Sequence, residues 1–134
     1  MFKILLIILL SSPSVDSDII VDISGIEELK GSMFIAVFDN KDSFPHFGKQ
    51  IVEKVLPVTT KKLSHTFKDL PHHEYAVAVF HDINDNGILD KNALGIPVEP
   101  YGFSRNARAR FTAPPFEDAK IELKEEQSIE IVIQ

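Results

Sequence analysis

Oxygen-bearing side chains recur at every second position in the run HDINDNGILDKN, residues 81–92. Counted from Asp82, they stand at positions 1, 3, 5 and 9 as Asp82, Asn84, Asn86 and Asp90. Gly87 holds position 6 and Ile88 offers its carbonyl at position 7. A chain that coils around a hard cation needs this spacing: alternate side chains converge, a glycine permits the sharp turn, and a backbone oxygen adds to the set. The chemistry predicted is calcium binding, with Asp85 pointing elsewhere in this register. Only two of the four side-chain ligands are charged, which implies the weak affinity of extracellular modules, about 10⁻⁴–10⁻³ M. The competing reading is a set of Asx-turns in which the same side chains cap backbone N–H groups.

The loop departs from an EF-hand. Position 12 is Ala93 rather than a bidentate Glu, the segment leading in has strand patterning, and LGIPVEPYGF cannot form the exiting helix. It resembles the strand-borne calcium loops of secreted β-sandwich modules.

Two other chemistries lie in the same region. His81 beside Asp82, with Glu99, Ser104 and the arginines near in sequence, permits a hydrolase with its site in residues 81–118. No nucleophile elbow, zinc signature or phosphate loop accompanies them, and His46, His65 and His72–His73 are isolated, so catalysis is disfavoured. Alternatively, Tyr101, Phe103, Phe111 and Phe116 together with Arg105, Arg108 and Arg110 build a surface for a carbohydrate or an anionic small molecule. Against that, the aromatics can be core and the arginines can pair with Glu99, Glu117 and Asp118. A structural part of an envelope assembly, contacting another envelope protein, is a third class.

The elements that must position these residues are strands. IIVDIS alternates with Ile19, Val21 and Ile23 on one face; LSHTFKDL (63–70), AKIELK (119–124) and SIEIVIQ (128–134) alternate too. KVLPVT (54–59) carries Pro57 and reads as an edge strand. Long helical periodicity is missing, so the fold expected is all-β, an antiparallel two-sheet sandwich of prealbumin-like or immunoglobulin-like type. Tyr75, opening a strand after a Leu-Pro turn, is either a corner tyrosine bonded back to nearby backbone or an ordinary half-buried strand residue.

SMFIAVFD (32–39) and EYAVAVFHD (74–82) are apolar on nearly every residue, hence on both faces, which a two-sheet sandwich does not require. Something must cover the outer face. The long segment 82–118, with no convincing long element but with Tyr101, Phe103, Phe111 and Phe116, is the candidate: an ordered loop after a central strand.

The N-terminus orders Lys3, the apolar run 4–10 and small residues 11–17 as a signal peptide does, with cleavage after Ser17. The expected organisation is therefore a signal peptide, 1–17, and one β-sandwich domain, 18–134, in a periplasmic or extracellular protein with no membrane span in the mature chain. A net charge of −6 argues against nucleic acid as a partner. With no cysteine in the chain, disulfides cannot staple the domain and a metal is the remaining simple option.

Three motifs carry a resemblance that spans most of the mature chain. They are the HD-x-N-x-N-G-x-L-D loop from His81, the G-I-P-x-E-x-Y-G-F-S segment from Gly95, and the PPFEDA run from Pro114. With them the chain resembles the bacterial exported family known as domain of unknown function 2141. The resemblance implies an exported sandwich and supplies no established activity. Two local departures are His72-His73-Glu74 before Tyr75, where the family has a Pro/Ala-Gly pair, and Arg105, where it has an Asn.

Overall fold

Period-two patterning becomes eight strands among the residues that this computed structural model describes, 15–110 and 112–134. Residues 1–14 of the expected signal peptide, and Phe111, lie outside the described residues. In chain order the strands are β1 (Asp16–Ser24), β2 (Ser32–Phe38), β3 (Val52–Pro57), β4 (Leu63–Pro71), β5 (His73–Asp82), β6 (Tyr101–Phe103), β7 (Ile121–Leu123) and β8 (Gln127–Val132). A short helix, α1 (Phe116–Ala119), precedes β7.

They form two packed sheets, one of three strands in the order β4-β1-β8 and one of five. The larger runs β3-β2-β5-β6, with β7 also on β5. The all-β sandwich is thus the fold observed. One pairing departs from the antiparallel rule: β1 and β8 run parallel, Val21 opposite Ile129 and Ile23 opposite Ile131. β3 is at the edge, where Pro57 leaves no central ladder short of a donor.

Between the sheets the alternation works as expected. Ile19, Val21 and Ile23 of β1 meet Met33, Ile35 and Val37 of β2 and Val77 and Val79 of β5, all fully buried. The Tyr75 hydroxyl donates to the Pro71 carbonyl at 2.6 Å, so the corner geometry is realised. The alternate residues of β2 and β5 face outward and form a second apolar cluster: Ala36, Phe38, Ala76 and Ala78 lie under Phe44, Phe103 and Phe116. The 82–118 segment does cover this face, but as structured chain. Phe103 sits on β6, paired to β5, and Phe116 opens α1. Phe44, from the 39–51 connection, shares the cover, and its ring meets Phe38, Phe103 and Phe116 edge-on.

Candidate functional site

β5 ends by delivering a buried carboxylate, Asp82, to the start of the loop. Its Oδ2 accepts the Gly87 N–H at 2.8 Å and its Oδ1 the Asn86 N–H at 3.2 Å, which folds the chain back over its own strand end. The fold-back requires a left-handed residue, and Gly87 supplies it with φ of 80°. Asn84 Oδ1 accepts the Asn86 N–H and Asn86 Oδ1 accepts the Ile88 N–H, two successive Asx-turns. The free ends of both amides then converge on Asp90. Asn84 Nδ2 donates to its Oδ2 at 2.8 Å, and Asn86 Nδ2 donates to both oxygens at 2.8 and 3.0 Å. These bonds, Asn86 foremost and then Asn84, hold the Asp90 carboxyl below its usual range against a small opposing effect of burial.

Three contacts fix the loop to the sandwich. Glu99, buried, spans the loop's two ends: one oxygen accepts the Ile83 N–H at 2.7 Å and the other the Asp90 N–H at 3.0 Å. Asp85, left-handed at φ 53°, turns away from the cluster and accepts the Ser32 hydroxyl at 2.6 Å. Gly31 lies so close beneath that a Cβ there would stand 2.1 Å from the Asp82 carbonyl oxygen. Sequence reasoning singled out neither Glu99 nor Gly31 for these roles. The Pro-x-Glu-Pro setting of Glu99 was the one available signal.

Asp82, Asn84, Asn86 and Asp90 are therefore brought together, and every candidate donor is an oxygen, the set a hard cation takes. The Asn84 and Asn86 carbonyl oxygens, each already accepting one backbone N–H, keep a second lone pair that a cation can use. The residues fit calcium on those grounds. Among the described residues no group of three His, Cys, Asp or Glu side chains is placed to hold a metal ion, so a cation here depends on amide and carbonyl oxygens beside two carboxylates.

The candidate ligand-binding residues divide. Tyr101 and Phe103 line a cleft of about 1170 Å³ over the uncovered part of the five-stranded sheet's outer face. Arg105, Arg108 and Arg110 are exposed and do not line it. Arg108 reaches the Val132 carbonyl at 3.4 Å. Of the carboxylates offered to the arginines, Glu99 is engaged by backbone and Glu117 pairs with Lys120 at 2.9 Å. The aromatics Tyr101 and Phe103 stand on β6, while Arg105 lies in the following 3₁₀ turn at Ser104–Asn106 and Arg108 and Arg110 come after it.

His81 and Ser104 are committed to the fold. The His81 ring donates through Nε2 to the Lys30 carbonyl at 2.7 Å. Ser104, fully buried, stands in the gap between β6 and β7 along the edge of β5. Its Oγ accepts the Val77 N–H at 2.9 Å and donates to the Ala119 carbonyl at 2.5 Å. A hydroxyl so placed completes a ladder rather than attacking a substrate.

A family model described as "Uncharacterized protein conserved in bacteria (DUF2141)" matches residues 21–131. No curated protein and no solved structure matches the chain.

Proposed function

We propose that this chain, which belongs to the DUF2141 family of uncharacterized conserved bacterial proteins, is an exported, non-catalytic β-sandwich module with a calcium-binding loop. Its role is ligand binding or structure in the cell envelope. The observation that carries the reading is the convergence of Asn84 and Asn86 on Asp90, beside a buried Asp82 whose carboxylate is fastened to the turn at Gly87. Asp82, Asn84, Asn86, Asp90 and the Ile88 carbonyl would hold the ion. Calcium would supply positive charge between two carboxylates and stiffen a loop otherwise held by hydrogen bonds alone. His81 Nε2, the Asp82 carboxylate, Ser104 Oγ and the Glu99 carboxylate, groups of a hydrolase reading, each bond to backbone, which favours the non-catalytic role.

Export is supported by the order of residues 1–17. β1 begins at Asp16, so cleavage after Ser17 trims two pairs, Asp16 with Pro71 and Ser17 with Leu70, and keeps the register from Ile19 onward. N-terminal sequencing of the native protein should begin near Asp18; an intact Met1 would overturn the localisation.

Calcium is tested by thermal melts in calcium and in chelator. At calcium about ten times the dissociation constant, binding adds roughly 1.4 kcal/mol to stability by mass action. The melt should rise by several degrees in calcium for the native chain and not for Asp90→Ala. Coincident melts for the native chain would leave the Asx-turns as the loop's whole purpose.

A further inference from the structure

We infer that the cleft over the outer face of the five-stranded sheet is a binding site for a small amphipathic anion, a ring-bearing apolar body with one negatively charged end. The floor is aromatic. Phe34 and Phe80, opposite one another on β2 and β5, stack at 4.7 Å with planes 12° apart, and Phe47 stands edge-on to Phe80 at 4.8 Å. Such a surface offers flat faces and ring edges to another ring. At about 1170 Å³ the cleft holds a drug-sized molecule with room to spare, since ligand sites commonly span about 300–1,000 Å³.

The walls repeat the apolar character. Phe47 on one side and Ile88 and Ile96 on the other are 38%, 61% and 37% exposed, and all three line the cleft. A ligand lying between them would remove that surface from water, which an empty cleft does not. Within the second apolar cluster the outer face is sealed by Phe44, Phe103 and Phe116; at Phe34 it is left half-open.

The polar side chains decide the class. Gln50 Nε2 donates to Glu53 Oε2 at 2.6 Å and Gln50 Oε1 accepts the Gly48 N–H, while His46 and Thr112 also line the cleft. Lys91 lines the cleft with no acidic partner among the described residues, and the Tyr101 hydroxyl has no hydrogen-bond partner among them. Lys91 rises on the connection between β5 and β6, whereas Glu53 lies on β3 at the other edge of the sheet. A cation without an acidic partner among the described residues, on the wall of an aromatic cleft, fits one anionic group on an apolar body.

The inference stands apart from the calcium reading, so the test is run with calcium and with chelator. The probe is 1-anilinonaphthalene-8-sulfonate, followed by its fluorescence, with uncharged N-phenyl-1-naphthylamine as the comparison. The native, fully folded chain should bind the sulfonate saturably at one site in both buffers. Lys91→Glu should weaken it roughly tenfold, the equivalent of about 1.4 kcal/mol, and leave the uncharged probe unchanged. Phe47→Ala should weaken both probes several-fold, while Leu29→Ser, at an exposed apolar residue outside the cleft, should alter neither. Each variant's melt is recorded so that a loosened fold is not mistaken for binding. Sulfonate binding that is absent, or indifferent to both Lys91→Glu and Phe47→Ala, overturns the site. Equal effects of Lys91→Glu on both probes overturn the anionic class, and a failure of calcium binding touches neither result.

Discussion

Glu99 Oε1 accepts the backbone N–H of Asp90 at 3.0 Å while its other carboxylate oxygen holds the N–H of Ile83 at 2.7 Å. One buried side chain thereby ties the end of the candidate calcium loop to its beginning. Glu99→Ala strands both N–H groups in a partly buried setting, and hydrogen bonds to a charged acceptor are worth about 1.5–3 kcal/mol each, not fully additive. A loss of about 2–4 kcal/mol in urea unfolding is expected, with Glu99→Gln losing less because its carbonyl oxygen still accepts one bond. A loss within error for Glu99→Ala would mean that the loop closes without it.

Asp90 gives the loop a signature in acid. The Asn86 and Asn84 amides hold its folded carboxyl below the usual value, so between that lowered value and the unfolded one the unfolded chain binds more protons. The Asp90 contribution is therefore present above the unfolded carboxyl value, about 3.9, and is lost as pH falls through the lowered folded value. Melts of the native chain and Asp90→Asn should differ by a constant amount at neutral pH and draw together below about pH 4. A difference that persists unchanged into strong acid would show that the charge on Asp90 contributes nothing.

Gly31 and Gly87 both have positive φ, 69° and 80°, yet for different reasons. At Gly87 nothing lies within 4 Å of an added Cβ, so Ala there meets only the left-handed backbone cost of about 1–2 kcal/mol. At Gly31 the same cost is joined by a Cβ 2.1 Å from the Asp82 carbonyl oxygen and 2.8 Å from the Ile83 Cα, backbone that cannot step aside. Adding an overpacking term of about 1–3 kcal/mol, Gly31→Ala should be the more damaging by that margin, and it should disturb the loop through Asp82. Equal urea midpoints for the two variants would remove the close approach as the reason for Gly31.

The legible parts of this chain are those whose cause is local. Period-two alternation placed Ile19, Val21 and Ile23 in the core, and the doubly apolar strands announced that Ala36, Phe38, Ala76 and Ala78 needed cover. The spacing of Asp82, Asn84, Asn86 and Asp90 announced their convergence. What stayed hidden depends on partners remote in sequence. Gly31 is explained by the backbone at Asp82, Ser104 by the Val77 N–H that it accepts between β6 and β7, and the parallel β1–β8 pair joins strands far apart in sequence. Phe44 sits in the polar run DNKDSFPHF, where no period marks it as core. The three arginines, near the aromatics in sequence, lie outside the lining of the cleft that Tyr101 and Phe103 share.

Phe44 and Phe103 meet edge to face at 5.7 Å over small residues of the sheet, and both are nearly buried, 5% and 7% exposed. Truncating either to Ala removes a ring from a packed cluster and should cost about 3–5 kcal/mol. Arg108→Ala, which gives up one long bond to the Val132 carbonyl at the surface, should cost no more than about 1 kcal/mol. Chemical unfolding of the three variants compares them directly. Small losses for both Phe variants would return the outer face to the status of an open surface.

Arg105 occupies a backbone conformation that its side chain does not favour. It is exposed and left-handed, φ 60° and ψ 13°, and Asn106 follows it at φ 49°. Asn106 is held by its side chain, whose Oδ1 accepts the Val132 N–H at 2.9 Å on β8. The turn is therefore fixed by its second residue, and the first must follow. Asn tolerates this region better than other residues with a Cβ, for which the left-handed cost is about 1–2 kcal/mol. Arg105→Asn should accordingly stabilise the fold by a fraction of that cost, roughly 0.5–1 kcal/mol, whereas Asn106→Ala should destabilise it by freeing the Val132 N–H. Urea midpoints that move up for the first variant and down for the second are the expected result. A midpoint that falls for Arg105→Asn would mean that the guanidinium contributes more to this turn than the backbone strain removes.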